Sequence, residues 1–336
     1  MIITRTPFRM SFFGGGTDLQ EYFRENGGCV ISSTFDKYCY VTVRHLPRFF
    51  EHKSQFTYSR IEKVKDTGEI RHPMIREAMK MLDMHEIIMN YDSDLPARTG
   101  LGTSSSFAVG LLNAFYALKG KYADKKKLAA EAIYLERVLC NEAGGWQDQI
   151  AAAFGGMNFI EFKGDSFDVR PVIIHPERKK ALKDNLMLFF TGFSRFSFEI
   201  HVAIKQNLKD KMAQLNEMKS LVFEAKKILE DKHSDLNEFG RMLDHTWRLK
   251  RQTESKISTD SIDELYDRAI KAGATGGKLL GAGGGGFLLF YVEKDKQDAV
   301  RKALNNLLLI PFDFENAGTE IIYYHPEQYL PEGNEA

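Results

Sequence analysis

Residues 95–106 read LPARTGLGTSSS. They follow a strand-like segment, HEIIMNYDSDLP at 85–96, turn through Gly100 and Gly102, and end in four consecutive hydroxyl residues. The run that starts there, SSFAVGLLNAFYAL, spaces Phe107, Leu111, Ala114 and Phe115 by three and four, the period of an apolar helix. A glycine turn opening a helix gathers free backbone N–H groups at the positive helix end, where an anion is stabilised. One N-cap needs one hydroxyl, and four exceed that need, so the stretch reads as a phosphate-binding turn rather than a plain capped helix. Thr103 and Ser104 are suited to bond a phosphate or to ligate Mg²⁺.

Two further glycine clusters flank this one at a distance, SFFGGGTD at 11–18 and GAGGGG at 281–286. Neither is a known nucleotide fingerprint. From Gly14 and Gly16 a G-x-G-x-x-G pattern would need glycine where Leu19 stands. The Gly-Lys pair Gly277-Lys278 is preceded five residues earlier by Ala272 and followed by Leu279, and Gly120-Lys121 by Phe115 and Tyr122, so neither is a P-loop. The third cluster puts four glycines in a row between two apolar strand-like segments, where a hairpin needs two turn residues. That excess points to close approach of another backbone or of a ligand.

The rest of the composition sets bounds. The chain has 336 residues, 46 basic and 46 acidic side chains and 43% hydrophobic residues, enough for two domains around real cores. Balanced charge argues against nucleic acid or a membrane surface as partner. Cys29, Cys39 and Cys140 lack metal-site spacing and fit reduced thiols, and no segment has signal-peptide or membrane-span character, which together predict a cytoplasmic protein. Early segments (MIITRTPF, GGCVISSTF, YCYVTVRHL) read as strands, 124–143 as a helix capped by Asp124, and 198–231, 235–254 and 260–272 as charged amphipathic helices. A strand pair around the third cluster, a helix and a final strand GTEIIYY predict a smaller α+β domain, with a boundary in the Pro-punctuated 165–185. The division taken is 1–175 and 176–336.

Four charged residues stand out. Asp148 in GGWQDQIAAAFGG sits in a small-residue, apolar setting, where a carboxylate is either capped and paired or put to work, with equal weight. Glu136 borders the apolar face of its helix, and an ion pair is its ordinary explanation. Asp18 is either a cap for LQEYFREN or an acceptor for ligand hydroxyls. Arg9, in the apolar PFRMSF, needs an anionic partner.

Taken together, these motifs resemble the GHMP kinases in order and spacing over essentially the whole chain. LPARTGLGTSSS is similar to that family's nucleotide motif, KLLGAGGGGF to its C-terminal glycine motif, and TPFRMSFFGGGTD to the sugar-kinase form of its first motif. The resemblance implies a two-domain α+β fold, with an N-terminal domain like ribosomal protein S5 and a C-terminal ferredoxin-like domain. It implies ATP and Mg²⁺ as cofactors. Thr99, Gly100, Leu101, Gly102, Thr103, Ser104 and Ser105 would wrap the ATP phosphates, Ser104 and Glu136 would hold the metal, and Asp148 with Arg9 would be catalytic. Gly15, Gly16, Thr17, Asp18, Asp148, Gly283 and Gly284 would face the acceptor.

Gly15 and Gly16 stand where galactokinases carry Glu-His, which argues against galactose. The whole pattern most closely resembles the heptose 7-phosphate kinases, which phosphorylate an anomeric C1 hydroxyl on the way to nucleotide-activated heptose for surface glycans. Fucokinases, other sugar 1-kinases and a ligand-sensing relative without activity are the alternatives. An acceptor that is already phosphorylated requires a second anion site, for which Arg195 in TGFSRFS leads and Lys37, Arg98 and Lys278 follow. Partners are thus a small sugar phosphate and ATP, with a homodimer left open.

Overall fold

The computed structural model describes residues 1–97, 99–192, 211–253 and 257–326. β-Branched and aromatic residues fill the first strand, β1 (Ile2–Phe13), which is buried on both faces from Thr6 onward. It pairs antiparallel with β2 (Gly28–His45), a single eighteen-residue strand where the sequence pattern reads as two separate segments. The register shifts between Pro7 and Phe8, so the pairing passes the half-buried Asp36 and Lys37 without ending the strand. Three strands extend this sheet on one side: β3 (Ser54–Thr57), β4 (Ile61–Val64) and β5 (Ile87–Ser93). They give the order β1-β2-β5-β3-β4, with the β3–β5 contact parallel. Two more, β6 (Met157–Lys163) and β7 (Ser166–Pro171), join it through β2.

A second, four-stranded sheet contains β8 (Leu186–Phe190), β9 (Gly276–Leu279), β10 (Phe287–Tyr291) and β11 (Leu308–Ile310) in the antiparallel order β11-β8-β10-β9. The chain then returns to the first sheet. Here β12 (Phe314–Glu315) pairs with β2 and β13 (Glu320–Tyr324) with β1. This corrects the placement of GTEIIYY: it completes the exposed edge of the first sheet, and the short β11 takes its expected position in the second. The edge of β1 offers a long row of backbone groups that needs a partner, and sequence distance does not enter that requirement.

Helix α1 (Gln20–Asn26) follows the first glycine cluster, and α2 (Pro73–Met81) closes over the far end of the sheet. Helix α3 (Thr103–Leu118) lies across β1 and β2 with every residue but Ser104 buried, so it behaves as a core element rather than an amphipathic surface helix. Thr4 of β1 donates to the Gly110 carbonyl at 2.9 Å, docking strand to helix. Helix α4 (Lys125–Tyr134) begins at the expected cap, Asp124 accepting from Lys127 N–H at 2.8 Å. It does not run to 143, however, because residues 135–139 form a π turn. Helix α5 (Gln147–Phe154) packs on α3 and α4.

The polar linker expected at 165–185 is ordered as β7 and α6 (Pro176–Asp184). Beyond it stand α7 (Met212–Glu230), α8 (Asn237–Thr253) and α9 (Asp260–Lys271), close to the helical segments read from periodicity. Helix α8 packs on β9 and on α7, and α10 (Gln297–Ala303) completes the second layer. Cys29 and Cys39 are buried free thiols and Cys140 is half-buried. No helix among the described residues is long and apolar enough to cross a membrane.

Candidate active site

A cleft of about 850 Å³ opens where the N-terminal end of α3 meets the β9–β10 loop and helices α7 and α8. All three glycine clusters contribute to its lining. Gly102 adopts a left-handed φ of 74° ahead of Thr103, so the turn after β5 enters α3 without a side-chain cap. Gly100 lies so close to the third cluster that a Cβ on it would stand 2.4 Å from the Leu280 carbonyl, and one on Gly281 would stand 2.3 Å from the Gly100 Cα. The glycine run after β9 is therefore explained first by backbone approach: the two loops are seated on each other.

Of the residues expected at the nucleotide, Gly100, Gly102, Thr103, Ser104 and Ser105 line the cleft. Thr99 and Leu101 are buried beneath them, Thr99 donating to the Pro96 carbonyl at 2.8 Å and the Leu101 carbonyl accepting Arg9 N–H at 3.1 Å. Of the residues expected at the acceptor, Gly15, Gly16, Asp18, Asp148 and Gly283 reach the cleft, and Gly285, not among them, does so too. Gly284 spends its N–H on the Ile257 carbonyl at 2.9 Å. Thr17 is buried away from the cleft, its hydroxyl donating to the carbonyls of Gly14 and Cys29, each at 2.8 Å. It builds the turn that presents Asp18.

The charged groups converge. Arg9 Nε and Nη2 grip both oxygens of Asp148, at 2.8 and 2.7 Å, while Nη1 donates to the Gly100 carbonyl at 2.7 Å. Arg9 is buried, and the Asp148 side chain keeps 23% exposure toward the cleft. Asp148 sits in the first turn of α5, where the helix end favours a carboxylate.

Asp18 is fully enclosed and takes N–H groups from Gly16 (2.9 Å) and Gln147 (3.3 Å). Its burial, and next the Asp148 charge, push its carboxyl above the ordinary value. Gly145 makes that seat available, since a Cβ there would lie 1.8 Å from Asp18 Oδ2.

Glu136 is held by the π turn, in which Cys140 N–H reaches back to the Leu135 carbonyl at 2.9 Å. The widened turn brings the Glu136 carboxylate inward to accept from Ser105 Oγ at 2.7 Å and from Gln149 Nε2. Its ordinary explanation, an ion pair, is absent: both partners are neutral, and no cation among the described residues pairs with it.

Several lining residues escaped the sequence reading. Lys250, on α8, is buried and donates to the Gly281 carbonyl; Lys278, on β9, is buried and donates to the Phe12 carbonyl at 2.7 Å. Lys278 was a lesser candidate by charge alone, whereas Lys250 sits in an ordinary helical charge pattern with nothing local to mark it. Ser11 Oγ and Gln147 Oε1 are buried at the cleft with no hydrogen-bond partner. At the far end Tyr58, His72, Phe107 and Tyr91 make a chain of ring contacts 5.1, 5.6 and 5.1 Å between centroids. Arg195 and Arg98 lie outside the described residues. Lys37 is bonded to its neighbour Asp36 at 3.0 Å and does not line the cleft.

Comparison with known proteins follows this geometry. The model described as GHMP kinases N terminal domain matches residues 70–156, and that described as GHMP kinases C terminal matches residues 225–308. The chain is 30% identical over 319 residues to the D-glycero-alpha-D-manno-heptose 7-phosphate kinase of Campylobacter jejuni, covering 90% of this chain and 93% of that one. It is 32% identical over 219 residues to the L-fucokinase/L-fucose-1-P guanylyltransferase of Bacteroides fragilis, 62% of this chain and 22% of that one. Among solved structures, a D-glycero-D-manno-heptose 1-phosphate kinase from Bacteroides thetaiotaomicron superposes with a TM-score of 0.77 at 25% identity, over 97% of this chain and 100% of that one.

Proposed function

The chain belongs to the GHMP kinase family and is a sugar-phosphate kinase of it, and we propose that it phosphorylates D-glycero-D-manno-heptose 7-phosphate at the anomeric C1 hydroxyl. The products are then the 1,7-bisphosphate and ADP. The observation that carries this reading is the Arg9–Asp148 pair, which stands between the residue 99–105 turn and the buried Asp18.

In this reading the N–H groups of the turn and the positive end of α3 receive the ATP phosphates, with Thr103, Ser104 and Ser105 of that helix lining the cleft beside them. Asp18 accepts from a sugar hydroxyl. Asp148 accepts the proton of the C1 hydroxyl as the O1–P bond forms and the bond to the ADP oxygen breaks. The bidentate grip of Arg9 fixes the Asp148 oxygens for that transfer and adds positive charge beside the transferring group.

Mg²⁺ of the kind that travels with ATP takes one or two protein oxygens and otherwise phosphates and water. Glu136 and the Ser104 hydroxyl, both at the cleft, fit that modest demand. No group of three or more His, Cys, Asp or Glu placed to hold a metal occurs among the described residues, consistent with an ion carried by the nucleotide rather than caged by protein. When bound, the ion neutralises charge on the phosphate oxygens.

ADP release measured with heptose 7-phosphate, fucose, galactose and mannose tests the reading, with the position of the new phosphate fixed by ³¹P NMR. Turnover of the heptose phosphate at C1 is expected. Phosphorylation of free fucose and not of the heptose phosphate would replace it with the fucokinase reading, which the similarity to the Bacteroides fragilis enzyme favours.

A further inference from the structure

Arg9 leaves an unanswered question about charge. Three of its five N–H groups are committed, two to Asp148 and one to Gly100, and its charge is already matched by the Asp148 carboxylate. Lys250 and Lys278 are in a different state. Each is buried at the cleft, each has a single hydrogen bond and that to a backbone carbonyl, and neither has a carboxylate within ion-pair reach among the described residues. An ammonium group carries three N–H donors, so most of their capacity is unspent.

Buried cations without a counter-charge are costly, and two that feel one another's repulsion are more so. Burial first, then Arg9, pushes Lys250 down to about 8; burial, then Lys250 and Arg9, holds Lys278 well below the ordinary lysine value. A fold that retains both groups facing a cavity has them positioned for an anion that arrives with the ligand.

Their location says which anion. Lys278 is tied to Phe12, immediately after Ser11, whose hydroxyl is buried at the cleft without a partner. The neighbouring Gly15 lies beside that hydroxyl, and a Cβ on it would be in van der Waals contact with Ser11 Oγ at 3.7 Å and Gln147 Nε2 at 3.8 Å. Lys278 thus borders the first glycine cluster, and Lys250, bonded to Gly281 of the third, lies within reach of the charges of Asp18 and Asp148.

We propose that Lys250 and Lys278, with the Ser11 hydroxyl, form the seat for the phosphate monoester that the acceptor already carries, and so select phosphorylated over free sugars. The inference rests on the reading that the acceptor is a sugar phosphate. It moves the second anion site from Arg195 to the junction of α8, β9 and β1.

The test is a ratio. For the wild type, K250M and K278M, kcat/KM is measured with heptose 7-phosphate and with the same heptose unphosphorylated. Each substitution is expected to lower the ratio of the two about tenfold to a hundredfold, the weight of a charge-assisted contact. Methionine keeps the length of the stem and removes an unpaired buried charge, and a thermal melt accompanies each variant. A ratio that stays constant, whether both acceptors weaken together or neither does, overturns the proposal in favour of a role at the transferring phosphoryl group.

If the wild type does not turn over heptose 7-phosphate, the functional reading fails, and the seat is judged separately by titrating inorganic phosphate into protein saturated with a non-hydrolysable ATP analogue. Binding that is lost in K250M and K278M supports the seat. Equal binding, or none to the wild type, overturns it.

Discussion

The two walls of the cleft handle charge in opposite ways. On the wall built from β1, α3, α5 and the π turn, three ionic groups already have partners: Arg9 has Asp148, Glu136 has Ser105 and Gln149, and Asp18 has the N–H groups of Gly16 and Gln147. On the wall built from α8 and β9, Lys250 and Lys278 have only carbonyls. Groups that satisfy one another are held in one geometry before any ligand arrives, which is what a proton transfer and a developing negative charge require. Groups left unsatisfied gain most when the ligand supplies the missing charge, which is what recognition requires. The contrast predicts that substitutions at Arg9 and Asp148 act on kcat and those at Lys250 and Lys278 on KM.

The largest effect tests the first half of that statement. Asp148→Asn keeps the size of the side chain but removes the proton acceptor, and kcat should fall about a thousandfold, within the 10²–10⁴ range for general-base catalysis, with KM for the heptose phosphate changed less than about threefold. Steady-state ADP release measures both. Full turnover in this variant would remove Asp148 as base and with it the division of labour between the walls.

A middle-sized effect probes the seat of Asp18. Gly145 has no positive φ, so alanine suits its backbone, yet the added Cβ would fall 1.8 Å from Asp18 Oδ2 and displace the carboxylate. Gly145→Ala should raise KM for the sugar about tenfold, the weight of one hydrogen bond to a charged group, while the melting temperature stays within a few degrees. An unchanged KM would show that Asp18 supports the turn rather than the acceptor.

Much of this site is legible in the sequence because it is local. The glycine turn, the start of the helix it opens and the hydroxyl run lie within twelve residues, and the three clusters together carry the family resemblance. What escaped is what tertiary structure creates. Nothing near residue 136 announces a π turn, and without it Glu136 reads as one face of a regular helix. Thr17 reads as part of a ligand motif, whereas its hydroxyl closes a turn across twelve residues to Cys29. The final strand was assigned by proximity in sequence, while the unpaired edge of β1, more than 300 residues earlier, claims it. Lys250 is the sharpest instance. Along α8 it is one cation among Arg248, Lys250 and Arg251, and only the packing of α8 on β9 shows that it alone of the three turns inward.

The smallest effect tests the second wall through pH. Burial first, and then Arg9 from β1, favour the neutral form of Lys250, while Asp18 and Asp148 favour the charged one; burial prevails and lowers it to about 8, and Lys278 from β9 lies against it. The protonated group is the one that attracts a phosphate monoester, itself a dianion above about pH 6. In the free enzyme the charged fraction therefore declines as pH rises through 8, and kcat/KM for heptose 7-phosphate should fall about fivefold between pH 8 and pH 9. The unphosphorylated heptose gives the control, because its kcat/KM lacks the contact and should show a shallower alkaline limb. In K250M the difference between the two acceptors should disappear over this interval. An alkaline limb of equal depth for both acceptors would place the titration on the catalytic wall instead, and the separation of matched from unmatched charge would no longer correspond to a separation of catalysis from recognition.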